Sequence, residues 1–324
     1  MHSPFISIII PTYNRANLLP LTLDSFIAQD YPRDRYEIIM ADNNSTDATR
    51  EVAEKYVGNS KVSVKYLFEQ RQGVHYARNS ASKQAKGDIL YFTDDDMIAD
   101  INLLKEIIRP FFIDDKVASV TGTVLPKWEV PPPQWVLDLC LNGLLSLNVR
   151  KEDLLITGYD CGVYSCHQAI RRDVFFQSGG FNPENTAGEW IGDGECGLNL
   201  KIIELGFKFA FITSSIIYHI IPRARMTQKY LNKRMANQGN CDSYTEYRKY
   251  NYSEFQLYKQ ICRHAANILN RFVHYMLNVS RMRIAWRIHR SYLNYYIKRI
   301  KYDYRLIKDE NWRRLVLKYN WLEE

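Results

Sequence analysis

The sequence predicts an α/β protein whose mostly parallel sheet is flanked by helices. Strand-like apolar runs alternate with amphipathic helical segments through the first half of the chain, and four successive strands each end in a polar loop. A length of 324 residues suits one large domain or a domain with an appendage. Hydrophobic residues make up 46% of the chain and charged residues 24%, which indicates a globular protein and excludes wholesale disorder.

Short runs rich in β-branched and aromatic residues mark the first strands. The predicted strands are residues 5–10, 36–41, 62–68 and 89–92. Segments with helical spacing of apolar residues lie between them, at residues 17–30, 47–56 and 74–86. Because strands separated by such helices pair in parallel, their carboxyl ends meet at one edge of the sheet, where ligands bind in folds of this type.

The second half is less regular. Its predicted strands are residues 163–170, 208–212 and 216–218, and its predicted helix is residues 194–205. Three consecutive prolines make residues 128–135 a surface loop, since proline removes backbone donors and fixes φ. Beyond Pro222 the chain becomes helical, aromatic and basic, so we predict one domain at residues 1–222 and a second region at residues 223–324.

Polar side chains follow each of the first four strands. The loops begin at Thr12, Asp42, Glu69 and Asp94, and the last of them starts with three consecutive acids, Asp94 to Asp96. Adjacent carboxylates repel one another unless a cation compensates, and Mg²⁺ or Mn²⁺ typically binds one or two carboxylates together with phosphate oxygens. The alternative is a solvated acidic turn that caps a helix beginning near Ile101.

Several short motifs occur in an order that resembles a known family. They are Pro11-Thr-Tyr-Asn-Arg15, Asp42-Asn-Asn-Ser-Thr-Asp47, Gly73-Val-His-Tyr-Ala-Arg-Asn79, Asp94-Asp-Asp96, Gly179-Gly-Phe-Asn182 and Gly194-Glu-Cys-Gly-Leu198. In order and spacing the chain resembles family-2 glycosyltransferases of the GT-A fold over roughly residues 5–222. The resemblance implies inverting transfer of a sugar from a nucleotide-diphosphate donor, with Mn²⁺ or Mg²⁺ held by a DXD-type acidic motif.

The same resemblance implies which residues bind the donor. Asp42 accepts a hydrogen bond from the base, a role that suits uracil and favours a UDP-sugar. The residues implied along the nucleotide, ribose and phosphates are Pro11, Tyr13, Arg15, Arg71 and Arg78. Asp94 and Asp96 correspond to the two acids of the metal motif, with Asp96 as the direct ligand, while Asp95 fills the variable middle position next to the donor.

Inverting transfer needs a carboxylate that deprotonates the acceptor hydroxyl on the face opposite the leaving diphosphate. In the family this base is the second acid of a Glu-Asp pair, three residues before a leucine that starts a helix. Glu195 holds that place ahead of Leu198, whereas Gly194 stands where the first acid is usual. Asp193 is the alternative base, and both acids also suit an ordinary helix N-terminus.

His219 follows the last predicted strand of the first domain. The resemblance implies a further metal or diphosphate contact at this position, and a structural histidine is the alternative. Arg223 and Arg225 come directly afterwards and suit a diphosphate as charge-assisted donors.

The C-terminal region is strongly basic. Residues 263–318 contain 14 Lys or Arg against three acids, an excess of 11 positive charges, whereas the net charge of the whole chain is +7. Apolar residues recur at helical spacing between these charges, which indicates helices at an anionic membrane surface within residues 254–324. The alternative is packing on the catalytic domain or on a second subunit. A nucleic-acid partner is not expected, because no nucleic-acid-binding motif accompanies the basic residues.

No run approaches the 18 or so apolar residues that span a bilayer, and the first residues lack the pattern of a secretory signal. We therefore expect a cytoplasmic protein, peripheral at the cytoplasmic face of a membrane, which adds its sugar to a glycan or lipid-linked acceptor in cell-surface polysaccharide or glycoconjugate synthesis.

A non-catalytic membrane-associated or scaffold protein on the same fold is the alternative function. Nucleotidyl transfer is disfavoured, because the loop after the first strand is not glycine-rich and basic. The oligomeric state is left open.

Overall fold

The computed structural model describes residues 3–156, 162–183 and 195–323. One sheet contains the strands β1 (Ile6–Thr12), β2 (Tyr36–Asp42), β3 (Ser63–Phe68), β4 (Ile89–Thr93), β5 (Met97–Ala99), β6 (Val117–Trp128), β7 (Leu154–Ile156), β8 (His167–Arg171) and β9 (Lys208–Ile221). The helices of the first two-thirds are α1 (Leu19–Ile27), α2 (Thr49–Glu54), α3 (Val74–Gln84), α4 (Leu103–Ile107), α5 (Gln134–Asp138), α6 (Arg172–Gln177) and α7 (Cys196–Glu204). The C-terminal helices are α8 (Gln228–Tyr250), α9 (Glu254–Ser280), α10 (Trp286–Lys308) and α11 (Glu310–Leu317).

The strand order is β3-β2-β1-β4-β8-β6-β9-β5, with β7 beside β9. Strands β3, β2, β1 and β4 pair in parallel, as the alternation of strands and helices predicts. Along β1 the side chains alternate between the two faces, so Ile8 and Ile10 belong to one apolar cluster and Ile9 to the other. The predicted α/β architecture with a helical C-terminal extension is confirmed.

The other half of the sheet is mixed. β8 pairs antiparallel with both β4 and β6, whereas β6 and β9 are parallel. No strand is assigned above to the segment that forms β6, in which Gly122 and Pro126 interrupt the apolar residues. The two short strands predicted at residues 208–212 and 216–218 form the single strand β9. Its pairing with β6 is irregular between Ile212 and Ile216, opposite Gly122 and Thr123, and this irregularity coincides with the gap between the two predicted strands.

The C-terminal helices pack on one another and on the body of the protein. Helix α10 packs against both α8 and α9, and α11 packs against α10. The closest approach is at Gly239 of α8, where an added Cβ would lie 2.3 Å from the backbone oxygen of Tyr295. Only a residue without a side chain permits this crossing.

The chain end returns to the body. The buried Lys201 of α7 donates to the carbonyl oxygens of Gly180 (2.8 Å) and Tyr319 (2.9 Å). The backbone N–H of Trp321 donates to Gly179 O at 2.8 Å. Within the described residues, none of the helices combines the length and hydropathy that crossing a bilayer requires.

Replacing Gly239 with alanine tests the α8–α10 crossing. In an open helix Gly→Ala stabilises by roughly 1 kcal/mol, but here the new methyl group collides with the Tyr295 backbone, so we expect a loss of about 1–3 kcal/mol in the free energy of unfolding. Urea unfolding measures the change, with the exposed Lys233→Ala on the same helix as the control. A stabilised Gly239→Ala variant would show that the two helices are not in contact there.

Candidate active site

A cleft of about 910 Å³ opens at the carboxyl ends of β1 and β4. Many of the residues that the sequence singles out line it: Pro11, Tyr13, Arg15, Arg78, Asp94, Asp95, Asp96 and Glu195. Parallel pairing brings the loop after β1 and the loop after β4 to one edge, while α3 and the start of α7 add Arg78 and Glu195. The cleft therefore unites residues that are far apart in the sequence.

Asp96 lies in a cluster with His219 and Arg225. Short strand β5 pairs antiparallel with β9 in a register that sets Met97 opposite His219, and this register places Asp96 beside the end of β9. The Asp96 carboxylate accepts a hydrogen bond from Arg225 Nη2 at 2.8 Å, and its Oδ2 lies 3.6 Å from His219 Nε2. A single 3-10 turn over Arg223–Arg225 brings the guanidinium of Arg225 back to the sheet edge.

The surroundings of His219 fix its tautomer. Nδ1 lies 2.8 Å from the carbonyl oxygen of Leu145, and because a carbonyl only accepts, Nδ1 carries the proton. Nε2 faces both Arg225 Nη1 and the Asp96 carboxylate, so it accepts from the guanidinium when the ring is neutral and donates to the carboxylate when the ring is protonated. Burial by itself raises the pKa of Asp96, but the contacts with His219 and Arg225 outweigh it and the pKa is lowered, so Asp96 is a buried carboxylate anion.

The donor set at this cluster suits a divalent cation that also binds phosphate. A histidine nitrogen with a lone pair and a carboxylate converge, and a guanidinium supplies positive charge beside them. Mg²⁺ and Mn²⁺ commonly bind one or two protein groups and complete their shells with phosphate oxygens and water. Among the described residues no cluster of three or more His, Cys, Asp or Glu side chains is assembled for a metal.

Asp95 lies in an environment that favours its protonated form. Burial, followed by the negative charge of Asp96, raises the pKa of Asp95 to about 7. The nearest cation is Arg15, whose Nε lies 3.7 Å from Asp95 Oδ1. Each acid of the triplet therefore has its own arginine: Asp94 pairs with Arg78, Asp95 lies near Arg15 and Asp96 pairs with Arg225.

A chain of polar contacts leads from Asp94 to Glu195. The buried Arg78 donates from Nη2 to Asp94 Oδ1 at 2.5 Å and from Nη1 to Ser165 Oγ at 2.7 Å. The Ser165 hydroxyl in turn donates to Glu195 Oε2 at 2.9 Å. Arg78 thus contacts Asp94 of the triplet directly and the predicted base Glu195 through Ser165. The sequence analysis missed Ser165, which belongs to no recognised motif.

Glu195 is the residue immediately before α7, in the wall of the cleft. Burial raises the pKa of its carboxyl, against the opposing effects of Arg78 and the Ser165 hydroxyl. A carboxylate with a raised pKa is a stronger base, which suits it to take a proton from a substrate hydroxyl. Asp193, the alternative base, lies outside the described residues, as does Gly194.

Three predicted residues lie away from the cleft lining. Asp42 is buried, with Oδ2 accepting from the Tyr66 hydroxyl at 2.8 Å and Oδ1 from the backbone N–H of Ser45 at 2.9 Å; its neighbour Asn43 lines the cleft instead. Arg71 pairs with Glu69 at 3.0 Å. His219 is behind Arg225, so it borders the cleft only through that side chain.

The opposite wall of the cleft comes from the C-terminal helices, which the sequence analysis did not assign to the site. Helix α8 contributes Arg234, Met235, Asn237, Gln238, Cys241 and Asp242, and α10 contributes Ile288, Tyr292 and Tyr295. The Tyr295 hydroxyl donates to Asp242 Oδ2 at 2.5 Å and accepts from Arg299 Nη1 at 3.2 Å, which joins the two helices within this wall. Hydroxyl, amide and carboxylate groups beside aromatic rings form a surface suited to a polyhydroxyl ligand.

Comparison with known proteins defines the class of this protein. The model of the glycosyl transferase family 2 matches residues 7–179, more than half of the chain. The chain belongs to that family.

Individual relatives match more narrowly. Glycosyltransferase AglE of Haloferax volcanii is 38% identical over 94 residues, which span 29% of this chain and 31% of AglE. The dolichyl N-acetyl-α-D-glucosaminyl phosphate 3-β-D-2,3-diacetamido-2,3-dideoxy-β-D-glucuronosyltransferase of Methanococcus voltae is 27% identical over 216 residues, which span 63% of each chain. The matched part of the chain thus covers less than a third of AglE and less than two-thirds of the M. voltae enzyme.

A solved structure extends the likeness to the C-terminal helices. The mannosyltransferase PcManGT of Pyrobaculum calidifontis, solved with GDP-Man and Mn²⁺, superposes with a TM-score of 0.62 at 18% identity. The match covers 95% of this chain and 88% of PcManGT, so it includes most of the C-terminal region. At this identity the likeness shows the fold, which is of the GT-A type.

Proposed function

We propose that this protein is a metal-dependent, inverting glycosyltransferase that moves a sugar from a nucleotide-diphosphate donor to a hydroxyl of a glycan or lipid-linked acceptor. The observation that carries the proposal is the convergence, in one cleft, of the Asp96–His219–Arg225 cluster and the Arg78–Ser165–Glu195 chain. The first suits the diphosphate of a donor, and the second suits activation of an acceptor hydroxyl. Family membership supports the same reaction class.

Asp96 and His219 Nε2 are the proposed protein ligands of Mn²⁺ or Mg²⁺, with Asp94 beside them. The bound cation would act as a Lewis acid that neutralises the leaving diphosphate. Arg225 and Arg15 reach the same edge of the cleft and donate charge-assisted hydrogen bonds to phosphate oxygens. Because Arg225 occupies the Asp96 carboxylate and the His219 lone pair, it has to shift towards the diphosphate when the donor and cation arrive.

Glu195 is the proposed base. Its carboxylate takes the proton of the acceptor hydroxyl while that oxygen attacks the anomeric carbon, and the bond to the diphosphate breaks on the opposite face. Ser165 orients the carboxylate through its 2.9 Å hydrogen bond, and Arg78 orients Ser165. A single base that acts on the acceptor gives one displacement and therefore an inverted anomeric configuration. Asp193 stays the alternative base.

The remaining parts of the donor and acceptor sites are proposals of the same kind. Pro11 and Tyr13 line the cleft where a nucleotide fits, and the preference for UDP rests on the predicted role of Asp42. Tyr292, Tyr295 and Asp242 on the facing helices suit the acceptor sugar. We propose synthesis of a cell-surface polysaccharide or glycoconjugate at the cytoplasmic face of a membrane. The dolichyl phosphate in the name of the M. voltae relative supports a lipid-linked acceptor.

The division into a catalytic domain at residues 1–222 and a C-terminal region at residues 223–324 remains a proposal. The last strand ends at Ile221 and the first C-terminal helix begins at Gln228, which is consistent with that boundary. A non-catalytic nucleotide-sugar-binding protein is the competing function. It would bind a nucleoside diphosphate with Mn²⁺ but neither hydrolyse nor transfer any donor that a thermal-shift screen of nucleotide-sugars identifies.

Asp96→Asn tests the cation ligand. We expect at least about a tenfold loss of affinity for Mn²⁺ in the presence of UDP or GDP, since even groups outside the coordination shell commonly contribute that much. Titration calorimetry measures it. Asp115→Asn, an exposed acid away from the cleft, is the control and leaves the affinity unchanged. Equal affinity in Asp96→Asn and the wild type would remove Asp96 from the metal site.

Glu195→Gln tests the base. We expect the transfer rate to fall roughly 10²- to 10⁴-fold, because the amide cannot accept the proton, while affinity for the donor stays unchanged. Rates and donor affinities are measured with the nucleotide-sugar that the thermal-shift screen selects. Asp193→Asn is the matched variant. If Asp193→Asn loses the activity and Glu195→Gln keeps it, the base is Asp193.

Ser165→Ala tests how the base is held. The Ser165 hydroxyl stabilises the charged carboxylate, so its removal raises the pKa of Glu195 further. Activity needs the deprotonated form, and we therefore expect the acid limb of the pH–kcat/KM profile to move to higher pH. A purely structural serine would lower the rate at every pH and leave the limb in place.

A further inference from the structure

Helix α9 leaves one face uncovered along its whole length. It packs against α10 and buries only Leu257 and His264. The opposite side is exposed, and its large apolar residues are Phe255, Tyr258, Leu269, Phe272, Val273, Met276 and Leu277. They recur at spacings of three and four residues on a helix of 27 residues, roughly 40 Å long.

On an ordinary protein surface exposed apolar residues are scattered singly, whereas here they form one contiguous patch. Leu269 is 68% exposed and Phe255 is 79% exposed, and Met282 in the turn after the helix is 92% exposed. The smaller residues between them, Cys262, Ala265 and Ala266, are also exposed, so the stripe is continuous. Large exposed apolar patches of this kind mark surfaces that bind membranes, proteins or other ligands.

The charges around the face are positive except for Glu254, the first residue of α9. Residues 255–302 contain ten Lys or Arg and no Asp or Glu. Four of the exposed arginines in this segment are Arg263, Arg281, Arg283 and Arg290. None of these four forms an ion pair with an acid in the part of the chain that the structure describes.

We propose that the apolar face of α9 docks on an anionic lipid bilayer, with its side chains in the boundary between headgroups and acyl chains and the arginines on lipid phosphates. Amphipathic helices with a basic border bind membranes in this way, and each basic residue near an anionic surface strengthens the attraction. A second copy of the chain is the less suitable occupant. A two-fold contact would set this basic face against itself, and Glu254 is the only acid on α9 that could offset the arginines.

Docking would place the membrane beside the active-site wall. The guanidinium of Arg271 on α9 stacks 4.1 Å above the ring of Tyr292, which lines the cleft from α10. An acceptor carried by a lipid would then meet the cleft from the side of the C-terminal helices. This last step rests on the proposed function, but membrane docking itself does not.

Co-sedimentation of the full chain with lipid vesicles tests the docking. One set of vesicles is phosphatidylcholine, and the other also contains phosphatidylglycerol. The apolar variant combines Leu269→Ser, Phe272→Ser and Met276→Ser, and the charge variant combines Arg281→Gln, Arg283→Gln and Arg290→Gln. The control combines Phe112→Ser and Ile113→Ser, which are equally exposed on the body of the protein.

We expect the wild type and the control to sediment with the anionic vesicles, the apolar variant to lose at least about tenfold in affinity, and the charge variant to weaken and lose its salt dependence. Circular dichroism confirms that the variants are folded. Failure of the wild type to bind, equal binding to both vesicle types, or wild-type binding by the apolar variant would overturn the proposal. The proposal would also be overturned if the wild type were a dimer in ultracentrifugation and the apolar variant a monomer. Donor binding by calorimetry is independent of all these outcomes, so loss of docking and loss of the proposed activity are distinguishable.

Discussion

The buried negative charge of Asp96 constrains much of the architecture around the cleft. A desolvated carboxylate requires a cation, and within the described residues Arg225 supplies it together with the ring of His219. To bring these two side chains to the acidic triplet, β9 has to extend to Ile221 and the chain has to turn immediately afterwards. The C-terminal helices therefore begin directly after the residue that neutralises Asp96.

The cleft is a product of both parts of the chain. The sheet edge provides the acids and arginines that suit phosphate, and the helices provide tyrosines, amides and Asp242. Arg78 connects the acidic triplet with Glu195, because its guanidinium contacts both Asp94 and Ser165. A displacement of Asp94 by a ligand would therefore reach Glu195 through only two intervening side chains.

Local patterns were sufficient to predict the first four strands and the position of the acidic triplet after the fourth, because each depends on residues close together in the sequence. The family followed from the order of several such local motifs along the chain. The cluster at Asp96 depends on the register between β5 and β9, and no local pattern encodes a pairing between such distant segments. Nor does the pattern of the basic region distinguish Leu306, buried beneath Tyr302 and Trp312, from Leu269, which is exposed. Both occupy apolar positions at helical spacing, and only tertiary packing decides which one is covered.

The return of the chain end to Gly179 and Gly180 limits how this protein can be recombined. Tyr319 and Trp321 hydrogen-bond to the body at Lys201 and Gly179, and a Cβ at Gly179 would lie 2.7 Å from the backbone of Asn320. The C-terminal region is consequently fastened to the body at both of its ends. A chimera that exchanges this region between relatives has to carry the matching glycine turn and α7 lysine with it, so specificity for an acceptor would be inherited as a set of distant segments rather than as a cassette.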